Sequence, residues 1–399
     1  MTKSITPEKL YEKILNNENV IVVDLRSPEK FKAQKIEGKS NSKVFNIYYA
    51  TMLETGEIDK DMQNYINNNF SKMFSKNDEI YTVCDVGETA KIFAKNLSEL
   101  GYNAYFVEGG MKNWYRYYDY KTVIENSDLA IYQVSRVSRG DLSWVIISNG
   151  EATIIDPLRH IDEYINFVNS KNAKIKFVLD THIHADHISG GPALSKKLNV
   201  PYYFHPYDGI HPIDMVFGKV DYNYLKDGDV FALGKVKVEV IHAPGHTLGQ
   251  VVFLVDGKFL FTGDSIFIES VARPDLGGRG ETWAPIHAKT LYKLVTTLSD
   301  DVMVLPAHFS KVEEANDKGL YVEKLGVLKE KNEALNYLLT KGTEEFVNYL
   351  LSSLPHFPPE YVEIKRVNVE LVEVDEERAQ ELETGKNICA LAQAYAESK

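Results

Sequence analysis

One short segment, residues 181–187, constrains this chain more than any other part of its sequence. It reads Thr-His-Ile-His-Ala-Asp-His and places three of the eleven histidines beside a carboxylate. An apolar run at residues 175–179 precedes it and predicts a strand whose end presents His182, His184, Asp186 and His187 at one sheet edge. Imidazole and carboxylate suit divalent metals, zinc and iron above all. The segment therefore predicts a metal site rather than a polar turn that happens to be rich in histidine.

Three more residues of metal-ligand type follow apolar runs elsewhere in the chain. His246 lies in Ala-Pro-Gly-His-Thr, Asp264 in Phe-Thr-Gly-Asp and His308 in Leu-Pro-Ala-His. A small or kinking residue precedes each one and lets the backbone approach a shared site. A single histidine near a turn is usually only solvated, but together with the first segment these residues make seven candidate ligands.

Composition limits the class of protein and its partners. A chain of 399 residues exceeds the size at which one core stops growing, so two domains are expected. Its 44% hydrophobic and 26% charged residues are those of an ordinary globular protein. The net charge of −12 argues against nucleic acid or an anionic membrane surface as partner. A homo-oligomer is also expected.

The cysteine content and the N-terminal residues indicate the compartment. The only two cysteines, Cys84 and Cys389, exclude a disulfide framework and favour thiols in a reducing compartment. The first residues lack the apolar core of a signal peptide, and no apolar run approaches the length of a membrane span. Thr6 and Pro7 instead predict the cap and first turn of a helix. We therefore expect a cytoplasmic protein.

The first third of the chain alternates strand and helix patterns. Apolar runs at residues 20–23, 80–83 and 104–107 predict strands, and a helix is predicted to begin after Cys84 and to run to Leu100. This alternation predicts a small parallel α/β sheet. Cys84 would then stand at a strand end and a helix start, where backbone N–H groups favour a thiolate or a persulfide anion. A buried structural cysteine is the alternative.

This part of the sequence resembles the rhodanese family of sulfurtransferases. Four separated motifs occur in the family's order over residues 4–120: residues 24–29 with Phe31, residues 36–38, the Cys84 loop with Gly87, and Gly109 and Gly110 with Trp114. The resemblance implies that Cys84 carries a sulfane sulfur as a persulfide.

The Cys84 loop departs from the rhodanese pattern at one position. It has Thr89 where many members have arginine, and Asp85 and Glu88 leave it without a cation. We therefore expect a slow or thiol-persulfide-specific transferase rather than thiosulfate turnover. A domain that serves as a docking, delivery or sensing module is the alternative.

A β-rich section is predicted to follow a polar linker around residues 121–128. Asn149-Gly150 and Asp256-Gly257 lie between apolar runs and predict two hairpins. Helices are predicted at residues 161–169 and 192–198.

This section resembles the metallo-β-lactamase superfamily over residues 129–310. The shared motif is His-x-His-x-Asp-His at residues 182–187, followed by His246, Asp264 and His308. The resemblance implies an α+β fold, an αββα sandwich with the metal at one edge. The expected organisation is an α/β rhodanese domain at residues 1–122, the metallo-β-lactamase domain at 128–345 and a C-terminal extension at 346–399 that packs on the metal domain.

The superfamily includes two kinds of enzyme that keep the same seven residues. Persulfide dioxygenases bind one Fe(II). The resemblance of this sequence to them implies that His182, His246 and Asp264 hold the iron. His184, Asp186, His187 and His308 would then surround it or hold a second metal. Glyoxalase II-type hydrolases use two bridged metals, so a dinuclear zinc thioester hydrolase with a rhodanese docking or sensing module is the alternative.

Two features favour the dioxygenase. Arg273-Pro274-Asp275 resembles a signature of persulfide dioxygenases joined to rhodanese domains, with Arg273 holding a ligand carboxylate or sulfonate and Asp275 fixing its guanidinium. A surface turn with a local salt bridge is the alternative. The fusion with a sulfur-carrying cysteine also suits an enzyme that consumes persulfides. The expected substrates are O2 and a small thiol persulfide such as glutathione persulfide, with sulfite as product and thiosulfate formed from it at Cys84.

The last part of the chain continues this resemblance. Residues 332–335 and 354–359 look like the helical extension of rhodanese-associated members. Cys389 is predicted to be a packed small hydrophobe, and a second sulfur relay is the alternative.

Overall fold

The computed structural model describes residues 2–392, which divide into two compact units. The N-terminal unit contains the chain up to Asp119 together with Arg136–Arg139 and Thr384–Lys386, and the C-terminal unit contains the remainder. Residues 393–399 of the predicted C-terminal extension lie outside the described residues.

The N-terminal unit alternates strands and helices. Thr6 caps its first helix, because its hydroxyl accepts a hydrogen bond from the Lys9 N–H, and Pro7 occupies the first turn, as the sequence predicted. The elements are β1 (Lys3–Ile5), α1 (Pro7–Leu15), β2 (Val20–Asp24), α2 (Pro28–Ala33), β3 (Ser42–Asn46), α3 (Ile58–Asn68), β4 (Glu79–Val83), α4 (Glu88–Glu99), β5 (Asn103–Val107) and α5 (Gly110–Arg116).

The sheet of this unit is parallel, as the alternation predicted. Its strands lie in the order β1-β5-β4-β2-β3. The core beside it contains Val23, Ile66 and Phe93, all fully buried. The central strand β4 ends at Val83, so Cys84 stands at the carboxyl edge of the sheet, where parallel α/β folds place their reactive groups.

The C-terminal unit is built from two sheets and their covering helices. Its strands are β6 (Tyr118–Glu125), β7 (Ala130–Arg136), β8 (Asp141–Ser148), β9 (Glu151–Ile155), β10 (Lys174–Leu179), β11 (Tyr202–Phe204), β12 (Ile210–His211), β13 (Val216–Phe217), β14 (Asn223–Tyr224), β15 (Val230–Leu233), β16 (Val236–His242), β17 (Val251–Val255), β18 (Phe259–Gly263), β19 (Met303–Pro306) and β20 (Glu323–Lys324). Its helices are α6 (Ile161–Ser170), α7 (Gly191–Leu198), α8 (Gly280–Thr297), α9 (Leu325–Lys331), α10 (Glu333–Lys341), α11 (Thr343–Ser352), α12 (Glu360–Asn368) and α13 (Glu376–Leu382).

The two sheets pack face to face as the inner layers of an αββα sandwich. One has the order β14-β11-β10-β9-β8-β7-β6 and the other runs from β15 to β20. Trp144 joins them, since its ring lies 5.7 Å from that of Phe261 and its Nε1 donates to the Pro306 carbonyl at 3.0 Å. Helices α6 and α7 pack on the first sheet, and Leu291 of α8 packs with Leu260 against the second. The predicted fold class is confirmed.

Both predicted hairpins are present. Asn149 and Gly150 have φ values of 50° and 77° and join the antiparallel strands β8 and β9. Asp256 and Gly257, with φ values of 49° and 65°, join β17 and β18. Residues that tolerate a positive φ let the strands reverse without splaying, which is why these pairs predict hairpins.

The predicted polar linker at residues 121–128 is wrong over most of its length. Strand β6 occupies residues up to Glu125 and forms an edge of the first sheet. Tyr120 stacks on Phe167 of α6 with ring centroids 4.3 Å apart. An edge strand tolerates charged side chains such as Lys121 and Glu125, and their polarity masked the strand-forming residues between them.

Helices α9 to α13 follow β20, and the end of α11 together with α12 and α13 lies in the predicted extension at 346–399. Residues 354–358 of the segment predicted as helical form neither helix nor strand. Helix α11 packs on α8, and α12 contacts α13. Among residues 2–392, no helix is both long and apolar enough to cross a lipid bilayer.

Candidate functional site

All seven candidate metal ligands lie at strand ends of the C-terminal unit. Four of them occupy the loop after β10, and one each follows β16, β18 and β19. Every one of the seven side chains is at most 2% exposed: His182, His184, Asp186, His187, His246, Asp264 and His308. Buried imidazoles and carboxylates gathered in one place are costly unless a cation binds among them.

The first cluster consists of His182, His246 and Asp264. One donor atom from each lies within 4.8 Å of the others. Asp264 Oδ2 is 3.3 Å from His246 Nε2 and 3.9 Å from His182 Nε2. Two imidazoles and a carboxylate are the protein donor set of mononuclear iron oxygenases, which keep other coordination positions open for substrates.

The second cluster consists of His184, Asp186, His187 and His308, whose donor atoms also lie within 4.8 Å of one another. His308 Nε2 is 3.4 Å from Asp186 Oδ2 and 3.0 Å from Asp264 Oδ1. Asp264 therefore turns one carboxylate oxygen to each cluster. The two clusters share a wall and together provide room for one or two metal ions.

Hydrogen bonds to the protein leave one metal-facing nitrogen on each of three histidines. His182 Nδ1 lies 3.0 Å from the Thr181 hydroxyl, and His246 Nδ1 donates to the Arg273 carbonyl at 2.7 Å. His184 Nε2 lies 3.2 Å from Asp156 Oδ1. The opposite nitrogens of these rings, His182 Nε2, His246 Nε2 and His184 Nδ1, are buried and have no hydrogen-bond partner among the described residues.

The electrostatics of the clusters also fit a bound cation. Burial lowers the pKa of His184 to about 4 and that of His246 to about 3, so both rings are neutral and offer a lone pair. Burial opposes protonation of His308 as well, but Asp186 and Asp264 raise its pKa well above the usual value. The pair of carboxylates thus draws positive charge to this point, and a divalent metal supplies it.

A second reactive group lies in the N-terminal unit. Cys84 Sγ accepts hydrogen bonds from the Gly87 N–H at 3.2 Å and the Ala90 N–H at 3.4 Å, at the start of α4. Gly87 has φ 92°, and a Cβ on Gly110 would lie 2.2 Å from the Cys84 carbonyl, so both glycines are required by the loop. The two N–H groups favour negative charge on the sulfur.

Among the described residues, no cationic side chain forms an ion pair or hydrogen bond with the Cys84 sulfur. Lys30 pairs with Asp85 at 2.8 Å, and both side chains are more than half exposed. Arg26 is buried and gives its Nε and Nη2 to the Asp24 carboxylate. The thiol is therefore activated by backbone dipoles rather than by a neighbouring charge, in agreement with Thr89 at the usual arginine position.

Comparisons with known proteins identify the two units. Residues 6–117 match the Rhodanese-like domain, and residues 139–337 match the Metallo-beta-lactamase superfamily. "Persulfide dioxygenase ETHE1, mitochondrial" of Bos taurus is 30% identical over 205 residues, which are 50% of this chain and 71% of that protein. This chain belongs to the metallo-β-lactamase superfamily. Its N-terminal unit is a rhodanese domain, and we call the C-terminal unit the metallo-β-lactamase domain.

Two further relatives show the breadth of this superfamily. A solved metallo-beta-lactamase from Staphylococcus aureus subsp. aureus COL is 28% identical, with a TM-score of 0.53 over 60% of this chain and 72% of that one. A "Hydroxyacylglutathione hydrolase" of Pelagibacter ubique is 31% identical over 140 residues, 34% of this chain and 55% of that protein. The superfamily thus fixes the fold and implies a bound metal, but it leaves the identity of the metal and the reaction open.

Sequence reasoning missed the acidic residues that hold the metal loops of the metallo-β-lactamase domain. Asp156, directly after β9, accepts from the Thr181 N–H at 2.7 Å and from its hydroxyl at 3.0 Å. Burial raises the pKa of Asp156 to about 7, and the hydrogen bonds from Thr181 oppose that rise. Its place at a strand end was the available signal.

Asp208 joins the two main loops of the site. Its carboxylate accepts from the Ile183 N–H at 2.9 Å, the Thr247 hydroxyl at 2.8 Å and the Gly249 N–H at 2.9 Å. These partners belong to the loop after β10 and the loop around His246. No local pattern marks Asp208, because its partners are distant in the sequence.

The C-terminal extension braces the same loop. Asn368, at the end of α12, donates through Nδ2 to the carbonyls of His184 and His187 at 2.9 and 2.8 Å. Its Oδ1 accepts from the Ser189 N–H at 2.9 Å. One amide side chain thus fixes both sides of the loop that carries four of the seven ligands.

The role expected for Arg273, holding a ligand near the metal, is not supported. The side chain is fully buried, and its guanidinium gives Nε and Nη2 to Asp275 at 2.6 and 2.9 Å. Its remaining N–H groups face the carbonyls of Pro355, His356 and Ile388 at 3.0 to 3.2 Å. All five donors are taken, so Arg273 anchors the extension and acts on the site only through its own carbonyl, which holds His246.

Cys389 lies on the wall of the metal site. It is fully buried in an apolar cluster with Ile364 and Ala390, and its Sγ lies 3.7 Å from the Tyr361 hydroxyl. Burial raises its pKa well above that of a free thiol, and the negative charges of Asp186 and Asp264 add to this effect. The packing agrees with the prediction of a small hydrophobe.

Proposed function

We propose that this protein is a mononuclear non-haem Fe(II) persulfide dioxygenase whose rhodanese domain moves sulfane sulfur through Cys84. The reaction is RSSH + O2 + H2O giving RSH and sulfite with its two protons, where R is a low-molecular-weight carrier. Support comes from the pairing, on one chain, of a two-histidine, one-carboxylate cluster with a cysteine whose sulfur accepts two backbone N–H groups. The relative named as a persulfide dioxygenase supports the same reaction.

The metal would be held by His182 Nε2, His246 Nε2 and Asp264 Oδ2. An Fe(II) ion at this position would supply the redox chemistry that lets O2 react with a persulfide sulfur. The protein fixes the tautomer of both rings through the Thr181 hydroxyl and the Arg273 carbonyl. The three ligands are fully buried, which strengthens their electrostatic interaction with a bound ion.

The second cluster has a different task in this mechanism. His308 Nε2 lies 3.0 Å from Asp264 Oδ1, the oxygen that faces away from His182 and His246. Its proton would hold that oxygen and leave Oδ2 to the metal. His184, Asp186 and His187 then line the site as proton carriers and hydrogen-bond partners for water.

The rhodanese domain would act on the product. A persulfide on Cys84 can transfer its outer sulfur to sulfite, which gives thiosulfate and returns the Cys84 thiolate. The Gly87 and Ala90 N–H groups stabilise that thiolate as the leaving group. A docking or sensing role for this domain is the alternative.

A dinuclear zinc thioester hydrolase is the second candidate. Asp264 turns one oxygen to each cluster, as a carboxylate that bridges two metals would. The relative named as a hydroxyacylglutathione hydrolase points the same way. In that case the fused rhodanese domain has no obvious chemical task.

Oxygen uptake separates the two candidates. Protein loaded anaerobically with Fe(II) is given glutathione persulfide and O2, and protein loaded with Zn(II) is given S-lactoylglutathione. The proposal predicts oxygen uptake by the iron form, abolished in His182→Ala, and no thioester hydrolysis by the zinc form. Hydrolysis by the zinc form without oxygen uptake by the iron form, whether the persulfide is that of glutathione, of coenzyme A or of a short alkanethiol, would overturn it.

A further inference from the structure

A largely apolar pocket of about 350 Å³ opens beside the metal loops of the metallo-β-lactamase domain. Its walls come from several separate segments of that domain, and most of them carry hydrocarbon or aromatic side chains: Ile210, Pro212, Met215, Leu248, Trp283 and Ile286. This volume accommodates a small organic molecule. The residues assigned to the proposed reaction do not include these apolar walls.

One side of the pocket borders the loops that carry the metal ligands. Asp208 and Thr247 line it, and Asp208 is the carboxylate that joins the two ligand-bearing loops. Thr247 follows the ligand His246 directly. One side of the pocket is therefore formed by residues that border the metal loops, and most of its remaining wall is apolar.

Lys365 of α12 supplies a positive charge to the pocket. The side chain is 4% exposed and lines the pocket, and its ammonium forms no ion pair or hydrogen bond with any other described residue. The acceptor oxygens of Asp208 already serve three other donors. Burial lowers the pKa of Lys365, and the negative charge of Asp208 opposes this effect only in part, so an anion that enters the pocket stabilises the ammonium further.

Lys365 also acts electrically on the metal ligands. Burial is the main cause that lowers the pKa values of His182 and His246, and the Lys365 charge contributes to both. Lys365 lines the same pocket as Asp208 and Thr247, the two residues that border the metal loops. Arg279, the other cation of the pocket, stands exposed at the rim, where water screens its charge.

We propose that this pocket selects persulfides whose anionic RSS⁻ head lies between the metal and Lys365 and whose carrier R is mainly apolar. This inference rests on the proposed function and specifies its substrate class. A zwitterionic peptide carrier such as glutathione would have to bring its charged groups against Ile210, Leu248 and Ile286, which costs desolvation without return. An alkyl or aryl carrier gains free energy from each methylene that it buries there.

Binding of unreactive sulfonates tests the pocket without any oxygen chemistry. Their anionic head resembles RSS⁻ and sulfite, and their tails vary. Isothermal titration of the Fe(II)-loaded protein under anaerobic conditions compares propane-, butane-, pentane- and hexanesulfonate with the sulfonic acid of glutathione. We expect Kd to fall about fourfold for each added methylene, and glutathione sulfonate to bind more weakly than hexanesulfonate.

Three variants locate the effect. Ile286→Ser should flatten the dependence on chain length, whereas Val230→Ser, at an exposed apolar residue outside the pocket, should leave it unchanged. Lys365→Met should weaken all four alkanesulfonates by a common factor of about 30 or more. Lys365→Arg should restore most of that loss.

Two results overturn this inference: the same Kd for all chain lengths, or glutathione sulfonate that binds as tightly as hexanesulfonate. The oxygen-uptake assay and the sulfonate titration can each give a negative result without the other. A chain-length series without oxygen uptake would reject the proposed reaction and keep the pocket's preference. Oxygen uptake together with a Kd that does not depend on chain length would keep the proposed reaction and reject the preference of the pocket for apolar carriers.

Discussion

At the scale of single residues, the orientation of the metal-binding histidines depends on hydrogen bonds from one ring nitrogen to a neighbouring protein group. Three histidines each use one nitrogen to contact the protein and keep the other for a metal. Thr181 occupies the centre of this arrangement. Its hydroxyl lies 3.0 Å from His182 Nδ1 and 3.0 Å from Asp156, so it can accept from the ring and donate to the carboxylate. The order His182, Thr181, Asp156 fixes the ring orientation before any metal arrives.

Thr181→Val should therefore weaken metal binding without unfolding the domain. Valine keeps the shape but removes the acceptor for His182, and we expect a roughly 10- to 100-fold loss of metal affinity. Competition with a chromogenic chelator measures it. Thr153→Val is the matched control, because that buried hydroxyl binds the Phe177 carbonyl within the sheet. Equal affinity in Thr181→Val and wild type would contradict this role.

The second residue-scale prediction concerns Cys84. Cys84→Ser should abolish sulfur transfer to sulfite or cyanide, because serine forms no persulfide. Oxygen uptake should stay within about twofold of wild type, since chemistry at a separate site is unaffected. Sulfite should then accumulate where wild type forms thiosulfate. A variant that loses oxygen uptake as well would show that the two activities share one site.

At the scale of elements, α12 is tied directly to the ligand loop. Asn368 lies at its end and makes three hydrogen bonds to the loop after β10, and Lys365 lies one turn earlier and lines the pocket. The C-terminal extension therefore helps to hold the loop that carries four of the candidate metal ligands.

Asn368→Ala should destabilise the metallo-β-lactamase domain. It leaves the carbonyls of His184 and His187 without their donor, which costs about 1–3 kcal/mol for each buried group. Thermal unfolding of the metal-loaded protein should shift to lower temperature, and metal affinity should fall with it. Asn336→Ala, at an exposed position of α10, is the control. If both variants unfold at the wild-type temperature, α12 does not brace the loop.

A second element-scale prediction concerns α3 of the rhodanese domain. Asp61, in its first turn, accepts from the Thr55 hydroxyl and from the N–H groups of Glu54, Thr55 and Gly56. Led by the Thr55 hydroxyl, these bonds lower the pKa of Asp61. Its contribution to stability is therefore present above the unfolded pKa of about 3.9 and is lost as pH falls through the folded value.

Asp61→Asn should accordingly open α3 at pH 7, and the difference from wild type should shrink below about pH 4. Hydrogen exchange of residues 54–68, followed by mass spectrometry at both pH values, measures this. Glu57→Gln, at an exposed position in the same turn, serves as control. A difference that is equally large at both pH values would contradict the assignment.

At the scale of the whole molecule, the sequence predicted features that depend on neighbouring residues, and it missed contacts between residues far apart in the chain. His246 and Asp264 each follow an apolar strand, so their arrival at one edge could be inferred from the strands alone. Asp208 and Asn368 contact residues 25 to 184 positions away, and no single-sequence pattern carries such pairings. Arg273 was misjudged for the same reason, because carbonyls more than 80 residues away take up its donors.

Each of the two domains carries its own reactive group. A cysteine prepared by backbone N–H groups and a buried metal cluster lie on one chain, and each has its own core. Sulfur oxidation in one domain and sulfur transfer in the other would form consecutive steps. The number of metal ions per chain that the oxygen-consuming activity requires can be measured directly.

The most direct test is a titration of the metal-free protein with Fe(II) under anaerobic conditions, followed by addition of a persulfide and O2. The account predicts that oxygen uptake rises to a plateau at one Fe(II) per chain, with one sulfite formed per O2 in the Cys84→Ser variant. A plateau at two ions per chain, or a sulfite yield far from one per O2, would contradict the mononuclear dioxygenase.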